Sequence, residues 1–239
     1  MDSCLIPSHP TSKCLDRLLE LLVLCNKYVA RKLEEHVASL VEPLVQANTL
    51  QSNLDANPTM TLFDVLRAGS IVNRPEIGTA AHDLLIDRLW RDVCLPYEVL
   101  VFAESINDKK LIGTAYYRIM VRRDLKDLNP SQRQILDRGM IRCGEEWQRI
   151  FDLWGEGKSL SGAKWECRRH YTCEGGRWLH EVWSALSKAK IPWYDVVGKV
   201  MSCSSSKETF STSCDPSRET TMKQELARVK GEVYRHFVD

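Results

Sequence analysis

One short stretch of the chain concentrates side chains that bind metal ions. Cys167, His170 and Cys173 follow one another at three-residue intervals, and Cys143 and His180 are the candidates for a fourth ligand. Zinc prefers thiolate sulfur and imidazole nitrogen, and a structural zinc site holds four such ligands in a tetrahedron. Three ligands without a clear fourth seldom form such a site. The sequence therefore favours a metal-free segment packed by neighbouring aromatic residues, with zinc as the alternative.

Catalysis is the second kind of chemistry that this stretch suggests. A cysteine nucleophile needs a base and a third group that orients the base. Cys167 and His170 lie about one helical turn apart, but the sequence identifies neither a third group nor an oxyanion hole. It also contains no phosphate-binding glycine loop, no Gly-x-Ser-x-Gly elbow and no His-Glu-x-x-His motif. We therefore expect no catalytic residue, no cofactor and no enzymatic activity.

Nucleic-acid binding is the third kind. Basic and aromatic residues alternate in the same stretch: Lys164, Trp165, Arg168, Arg169, Tyr171, Arg177 and Trp178. Such surfaces bind RNA or single strands, but a solvated face beside an aromatic core is the commoner outcome. Lys plus Arg number 33 and Asp plus Glu 32, a formal net charge of +1, so the whole chain is not drawn to polyanions or anionic membranes. We expect neither nucleic acid nor a membrane as a partner.

The elements that must position these residues are helices. Apolar side chains recur at three- and four-residue spacing, as in Leu15, Leu18 and Leu22, and no segment alternates with period two. The fold is predicted to be all-α, with stacked antiparallel helical hairpins, a disordered linker and a C-terminal helix. The predicted regions are a flexible tail at 1–12, a helix pair at 13–50, two repeated hairpins at 51–125, a Trp/Cys-rich helical region at 126–201, a disordered linker at 202–216 and a C-terminal helix at 217–239.

A repeat supports the hairpins. Residues 68–81, AGSIVNRPEIGTAA, match residues 103–116, AESINDKKLIGTAY, without a gap. A period of this size is typical of stacked helix–turn–helix units, which usually bind other proteins. Gly78 and Gly113 are equivalent in the match, and glycine costs about 1 kcal/mol relative to alanine inside a helix. We therefore predict close helix packing at both glycines, in equivalent surroundings.

Several segments together resemble a known family. Residues 18–44 contain a leucine-rich helix, then Lys27-Tyr28 and Leu33-Glu34, and this order is similar to the closing two helices of a BTB/POZ domain. Three later segments resemble the helical region of fungal BTB-domain proteins: PYEVLVFAESINDKKLIGTAYYRIM, LNPSQRQILDRGM and CRRHYTCEGGRWLHEVW. The resemblance covers most of residues 15–200.

The resemblance implies an adaptor that binds other proteins, through self-association and docking onto a cullin-type ubiquitin-ligase scaffold. The strand-rich half of a complete BTB/POZ domain has no counterpart in this sequence, so we expect a monomer or a weak dimer. We also expect Leu15, Leu18 and Leu22, which would pack against that half, to be partly uncovered as an interaction face.

The cysteines indicate the compartment. The chain has nine, an odd number, and no signal peptide is recognised in MDSCLIPSHP. We expect reduced cysteines and an intracellular protein of the cytoplasm or nucleus. The favoured function is non-catalytic protein–protein interaction. The alternative is a zinc-stabilised nucleic-acid-binding or transcription-associated module, which stoichiometric metal in the purified protein would distinguish.

Overall fold

The computed structural model describes residues 15–46, 50, 58–155, 186, 190–205 and 216–238. These residues form nine α-helices and one 3₁₀ helix, and none of them forms a strand, which confirms the all-α class. The helices are α1 Leu15–Lys27, α2 Arg31–Val41, α3 Pro58–Ile71, α4 Pro75–Trp90, α5 Pro96–Ile106, α6 Lys109–Arg122, α7 Pro130–Gly155, α8 Val196–Ser205, α9 Pro216–Glu232 and the 3₁₀ helix Val233–Phe237. Of the described helices, none combines the length and the apolar character that a membrane span requires.

The helix starts follow local chemistry. Pro75 and Pro96 occupy the first turns of α4 and α5, where the missing N–H has no intrahelical acceptor to lose. A capping box opens α7: the backbone N–H of Gln132 donates to Asn129 Oδ1 at 2.9 Å, and that of Asn129 donates to Gln132 Oε1 at 3.1 Å. Each of these starts therefore has a signal in the local sequence.

Five helices end in the same hydrogen-bonded turn, and none of them has glycine at the left-handed position of that turn. Residues in the left-handed backbone region follow five helices: Val29, Asn73, Asp92, Asn107 and Arg123. In each case the next backbone N–H donates to the carbonyl five residues earlier, as from Ala30 to Cys25 at 2.9 Å and from Asp108 to Ala103 at 3.0 Å. This is the longer hydrogen bond of the Schellman motif, whose left-handed position glycine usually fills. The turns are therefore closed by hydrogen bonds at some cost in backbone strain.

Contacts divide the chain into two compact units, Met1–Leu111 and Ile112–Asp239, with the boundary inside α6. The first unit is built around α3, which packs against α1, α4 and α5. Phe63 of α3 stacks on Phe102 of α5 with ring centroids 4.1 Å apart. The second helix, α2, packs along α1 as its hairpin partner.

In the second unit the 3₁₀ helix packs against α7, and α8 packs against both α7 and α9. The ring of Phe237 lies 6.0 Å from that of Tyr116 and 6.5 Å from that of Tyr117, centroid to centroid. Both tyrosines are buried on α6. Aromatic packing therefore joins the 3₁₀ helix, at the end of the described chain, to α6.

The predicted disordered linker at 202–216 is wrong at residues 202–205, because helix α8 continues through Ser205. Helix α9 begins at Pro216, one residue before the predicted C-terminal helix. The serines extend a helix whose Val196, Val197 and Val200 are buried, so packing outweighs their weak helix propensity. Residues 206–215, the predicted tail at 1–12 and most of the connector around residue 50 lie outside the described residues.

Candidate functional site

A groove runs between α1 and α3. On α1 it is lined by residues at helical spacing, namely Asp16, Leu19, Glu20, Val23 and Leu24, and on α3 by Asp64, Arg67, Ala68 and Ile71. Each set forms one stripe, because residues three and four apart share a helix face. The groove encloses about 480 Å³. Leu24 and Ile71 are 48% and 47% exposed, so apolar surface remains open to solvent.

One end of the groove is acidic. Asp16 and Glu20 are exposed on α1, and the carboxylate of Asp64 lies 3.9 Å from the guanidinium of Arg67 on α3. Burial raises the pKa of Asp64, and the nearby Asp16 and Glu20 raise it further, while Arg67 opposes them. Among the described residues, three carboxylates therefore face one cation along this part of the groove, which we name the acidic end.

Arg67 contacts an aromatic ring as well as Asp64. Its guanidinium carbon lies 5.7 Å from the centre of the Phe102 ring, within the range of a cation–π contact. Phe102 in turn stacks on Phe63. The cation is thereby drawn toward the aromatic pair, and its long contact with Asp64 leaves the acidic end incompletely neutralised.

A second concave surface of the same unit lies where α3 ends and α4 and α6 begin. This cavity of about 550 Å³ is lined by Leu66, Gly69, Ser70, Asn73, Arg74, Pro75, Gly78, Thr79, His82, Ile106, Asn107 and Asp108. His82 Nε2 lies 3.4 Å from Asp108 Oδ2, and His82 Nδ1 lies 3.3 Å from Asp83 Oδ1. Asp108 also caps α6 by accepting the backbone N–H of Leu111 at 3.0 Å.

The contact between His82 and Asp108 shifts the pKa values of both side chains. The hydrogen bond with Asp108 raises the pKa of His82, against the effect of burial and of Lys110. Burial acts to raise the pKa of Asp108, but the hydrogen bonds from His82 and from backbone N–H groups outweigh it and leave that pKa lowered. The geometry is that of an ion pair tying α4 to the start of α6. Two hydroxyl side chains, Ser70 and Thr79, also line the cavity, and the Thr79 hydroxyl donates to the backbone carbonyl of Pro75 at 2.8 Å.

The second unit contains a buried polar network. The hydroxyl of Tyr117 donates to Asp195 and accepts the backbone N–H of Val197 at 3.2 Å. Asp195 also accepts the backbone N–H of Gly198 at 2.8 Å, which caps α8. Burial and Asp195 together raise the pKa of Tyr117 well above its usual range. A tyrosine held neutral in this way positions α8 and is not poised as a base.

A cluster of charges lies between α7 and α9. Arg228 donates to Glu146 at 2.7 Å, to Glu225 at 3.0 Å and to Glu232 at 2.9 Å. Burial acts to raise the pKa of Glu146, but hydrogen bonds from Arg149 and Arg228 outweigh it and leave that pKa lowered. Because Arg228 of α9 donates to Glu146 of α7 and to two glutamates of its own helix, this cluster joins the two helices.

The prediction of a partly uncovered interaction face on α1 is wrong. Leu15, Leu18 and Leu22 are all buried, because α1 packs against α2 and α3 and covers this face within the unit. The open apolar surface lies one step around the helix, at Leu24. In a leucine-rich helix, the sequence alone does not show which of two apolar stripes the neighbouring helices will cover.

The two repeated glycines have different neighbours. A Cβ on Gly78 would lie 3.4 Å from the Leu66 side chain, and the tighter approach is at Gly69, whose Cβ would lie 3.1 Å from the backbone nitrogen of Gly78. A Cβ on Gly113 would overlap the backbone of Tyr234. Glu104 stands where Gly69 has its match in the repeat. The repeat in the sequence is therefore not a repeat in the packing at these positions.

The zinc candidates Cys167, His170 and Cys173 lie outside the described residues, as do His180 and the basic and aromatic residues around them. Cys143 is described: it is buried on α7, and burial raises its pKa, with Asp195 and Glu146 adding to the effect. Within the part of the chain that the structure describes, no group of three or more His, Cys, Asp or Glu side chains is arranged to hold a metal ion.

Neither the groove nor the His82–Asp108 pair was among the sites predicted from the sequence. A signal for the groove was present, because Asp16 and Glu20 share a helix face with Val23 and Leu24. No local pattern joins His82 to Asp108, since His82 lies on α4 and Asp108 caps α6.

Comparison with protein-family models, with curated proteins and with solved structures finds no match to this chain.

Proposed function

We propose that the chain is a non-catalytic protein–protein interaction module of the adaptor type, acting inside the cell. The observation that carries the proposal is the groove between α1 and α3, whose apolar lining remains half-exposed at Leu24 and Ile71. Grooves of this kind accept a helix or an extended segment of a partner. The resemblance of residues 15–200 to the helical part of BTB/POZ proteins supports the same role.

The chemistry of the described residues supports a binding role over a catalytic one. The titratable groups with displaced pKa values, such as His82, Asp108 and Glu146, are engaged in pairs that join helices. Among the described residues, those that line the groove are carboxylates, a guanidinium and apolar side chains, without a cysteine, serine or histidine. Self-association and docking onto a ubiquitin-ligase scaffold are narrower forms of this proposal, and they rest on the resemblance alone.

The test compares partner capture by three forms of the full chain. The groove variant carries Leu24→Arg and Ile71→Arg, and the control variant carries Leu33→Arg and Val93→Arg, which are exposed apolar residues outside the groove. Both variants add two cations at sites that the core does not need. We expect the tagged wild-type chain and the control variant to retain the same proteins from native cells, and the groove variant to lose them.

Circular dichroism and thermal unfolding of each variant check that the fold is intact. If a folded groove variant retains the same proteins as the wild type, the groove is not the binding surface. If no protein is retained by the wild type above the level of a tagged control, the adaptor role itself is contradicted.

A further inference from the structure

The groove has a charge as well as a shape, and the charge bears on its partner. We infer that it takes an amphipathic helix of another protein, one that carries lysine or arginine side chains one or two turns from its apolar side chains. The inference rests on the proposed function and deepens it by naming the chemistry of the partner.

The charge argument starts from the acidic end. Of the described residues in this part of the groove, Asp16, Glu20 and Asp64 are negative and Arg67 alone is positive, which gives a surplus of negative charge. Asp16 and Glu20 are exposed, and neither forms an ion pair with another described residue. The chain as a whole is nearly neutral, with a formal net charge of +1, so the negative surface is local. A cationic partner gains from this field, and an anionic partner is repelled.

The shape argument comes from helical spacing. On α1 the lining residues run from Asp16 to Leu24, which at 1.5 Å per residue is a length of about 12 Å, or two turns. Leu24 and Ile71 form the apolar end, and the carboxylates lie one to two turns away. A partner helix whose apolar residues recur at i, i+4 and i+7 would match this length. Its basic residues would then fall at the acidic end.

The open form of the groove favours a helix over a small molecule. Small-molecule sites usually bury most of their ligand and converge a few polar groups on it. Here the polar groups lie together at one end, and the apolar residues at the other end are half-exposed. A second copy of the chain would have to present a cationic helix of its own, and its binding would appear as self-association.

The experiment uses two labelled peptides of about 18 residues, long enough to form a helix in contact with the protein. Both peptides carry leucines at i, i+4 and i+7, and they differ in having either lysines or glutamates one turn away. Fluorescence anisotropy with the full wild-type chain measures the affinities. We expect the lysine peptide to bind at least about tenfold more tightly than the glutamate peptide.

A charge-reversed variant with Asp16→Lys and Glu20→Lys should lose or invert this preference. The matched control, Glu35→Lys with Glu98→Lys, makes the same change in net charge at exposed residues outside the groove and should keep it. The Leu24→Arg, Ile71→Arg variant should weaken the binding of the lysine peptide by at least about tenfold.

Three results would overturn the inference. Equal affinity for the two peptides would remove the charge preference, while leaving an adaptor groove that the partner-capture experiment tests separately. Equal loss of preference in the control variant would show that the attraction is not confined to the groove. Sedimentation that shows a dimer of the wild-type chain, dissociated by the groove variant, would assign the groove to a second copy.

Discussion

Val29 occupies a backbone conformation that suits almost any other residue type better. Its φ is 57°, in the left-handed region, and a branched Cβ makes that region costlier than it is for asparagine. The side chain is 70% exposed, so little packing compensates for the strain. The hydrogen bond from Ala30 to Cys25 holds the turn closed. The backbone strain therefore lies at a residue whose side chain contributes little packing energy.

Changing Val29 to Gly should stabilise the protein by about 1 kcal/mol, since relief of strain exceeds the entropy that glycine adds to the unfolded chain. Urea denaturation of the variant and of the wild type measures the difference. The matched control is Asn107→Gly at a second left-handed position, where the gain should be only a few tenths of a kcal/mol because asparagine tolerates this region. An equal gain at both positions would argue against strain at the branched side chain.

The His82–Asp108 pair predicts a pH dependence whose sign is fixed. The pKa of His82 is raised in the folded chain above its ordinary value of 6.5, so its contribution is complete below pH 6.5 and is lost as the pH rises through the folded value. The lowered pKa of Asp108 keeps the carboxylate charged throughout this range. The stability difference between the wild type and His82→Gln should therefore shrink as the pH is raised from about 6 to 8.

Urea denaturation at a series of pH values measures this difference. Asp108→Asn keeps a capping side chain for α6 but removes the charge, so it should reduce the same pH-dependent part to the share that Asp83 supplies. If the difference between wild type and His82→Gln grows with pH, the pair does not act as the geometry indicates.

At the scale of the elements, several glycines occupy helix interiors, and their surroundings decide what a side chain would do. A Cβ on Gly113 of α6 would overlap the backbone of Tyr234, whereas a Cβ on Gly231 of α9 would meet nothing within 4 Å. Both are helical, so the intrinsic gain from alanine is the same. The two positions form a matched pair that separates packing from propensity.

Gly113→Ala should cost about 2–3 kcal/mol, because the 3₁₀ helix must move to admit the methyl group. Gly231→Ala should stabilise by about 0.5–1 kcal/mol, the usual preference for alanine in an open helix position. Thermal or urea unfolding of both variants checks the opposite signs. Two stabilising substitutions would mean that α6 does not approach the 3₁₀ helix so closely.

The sequence predicted that helices form better than it predicted how those helices pack. Apolar spacing, as in Leu15, Leu18 and Leu22, predicted the all-α class, because this signal is local. The buried state of Leu15 and the different neighbours of Gly78 and Gly113 depend on which helices come together, and no local pattern contains that information. The linker prediction failed at residues 202–205 for the same reason, since tertiary packing outweighed serine composition.

At the scale of the whole molecule, the zinc alternative is testable without reference to any single contact. The sequence favours a metal-free chain, with Cys167, His170 and Cys173 as the residues at issue. Metal analysis of the purified full chain should find far less than one zinc per chain. A strong chelator should leave the circular dichroism spectrum and the unfolding midpoint unchanged, because no folding free energy would come from metal binding.

Near-unit zinc, or loss of helical signal on chelation, would favour the nucleic-acid-binding alternative instead. The same samples give the oligomeric state by light scattering, where the resemblance leads us to expect a monomer or a weak dimer. A tight dimer that does not dissociate on dilution would contradict that expectation.

The turns closed without glycine have an evolutionary consequence. Substitutions that reshape a binding surface usually cost stability, and a chain can accept them only while its folded state stays above a threshold. Val29 and Arg123 lie in left-handed turns, where a single change to glycine can restore stability without touching the groove. If the groove binds partners as proposed, substitutions on α1 and α3 can change the partner specificity while stabilising substitutions arise in these turns.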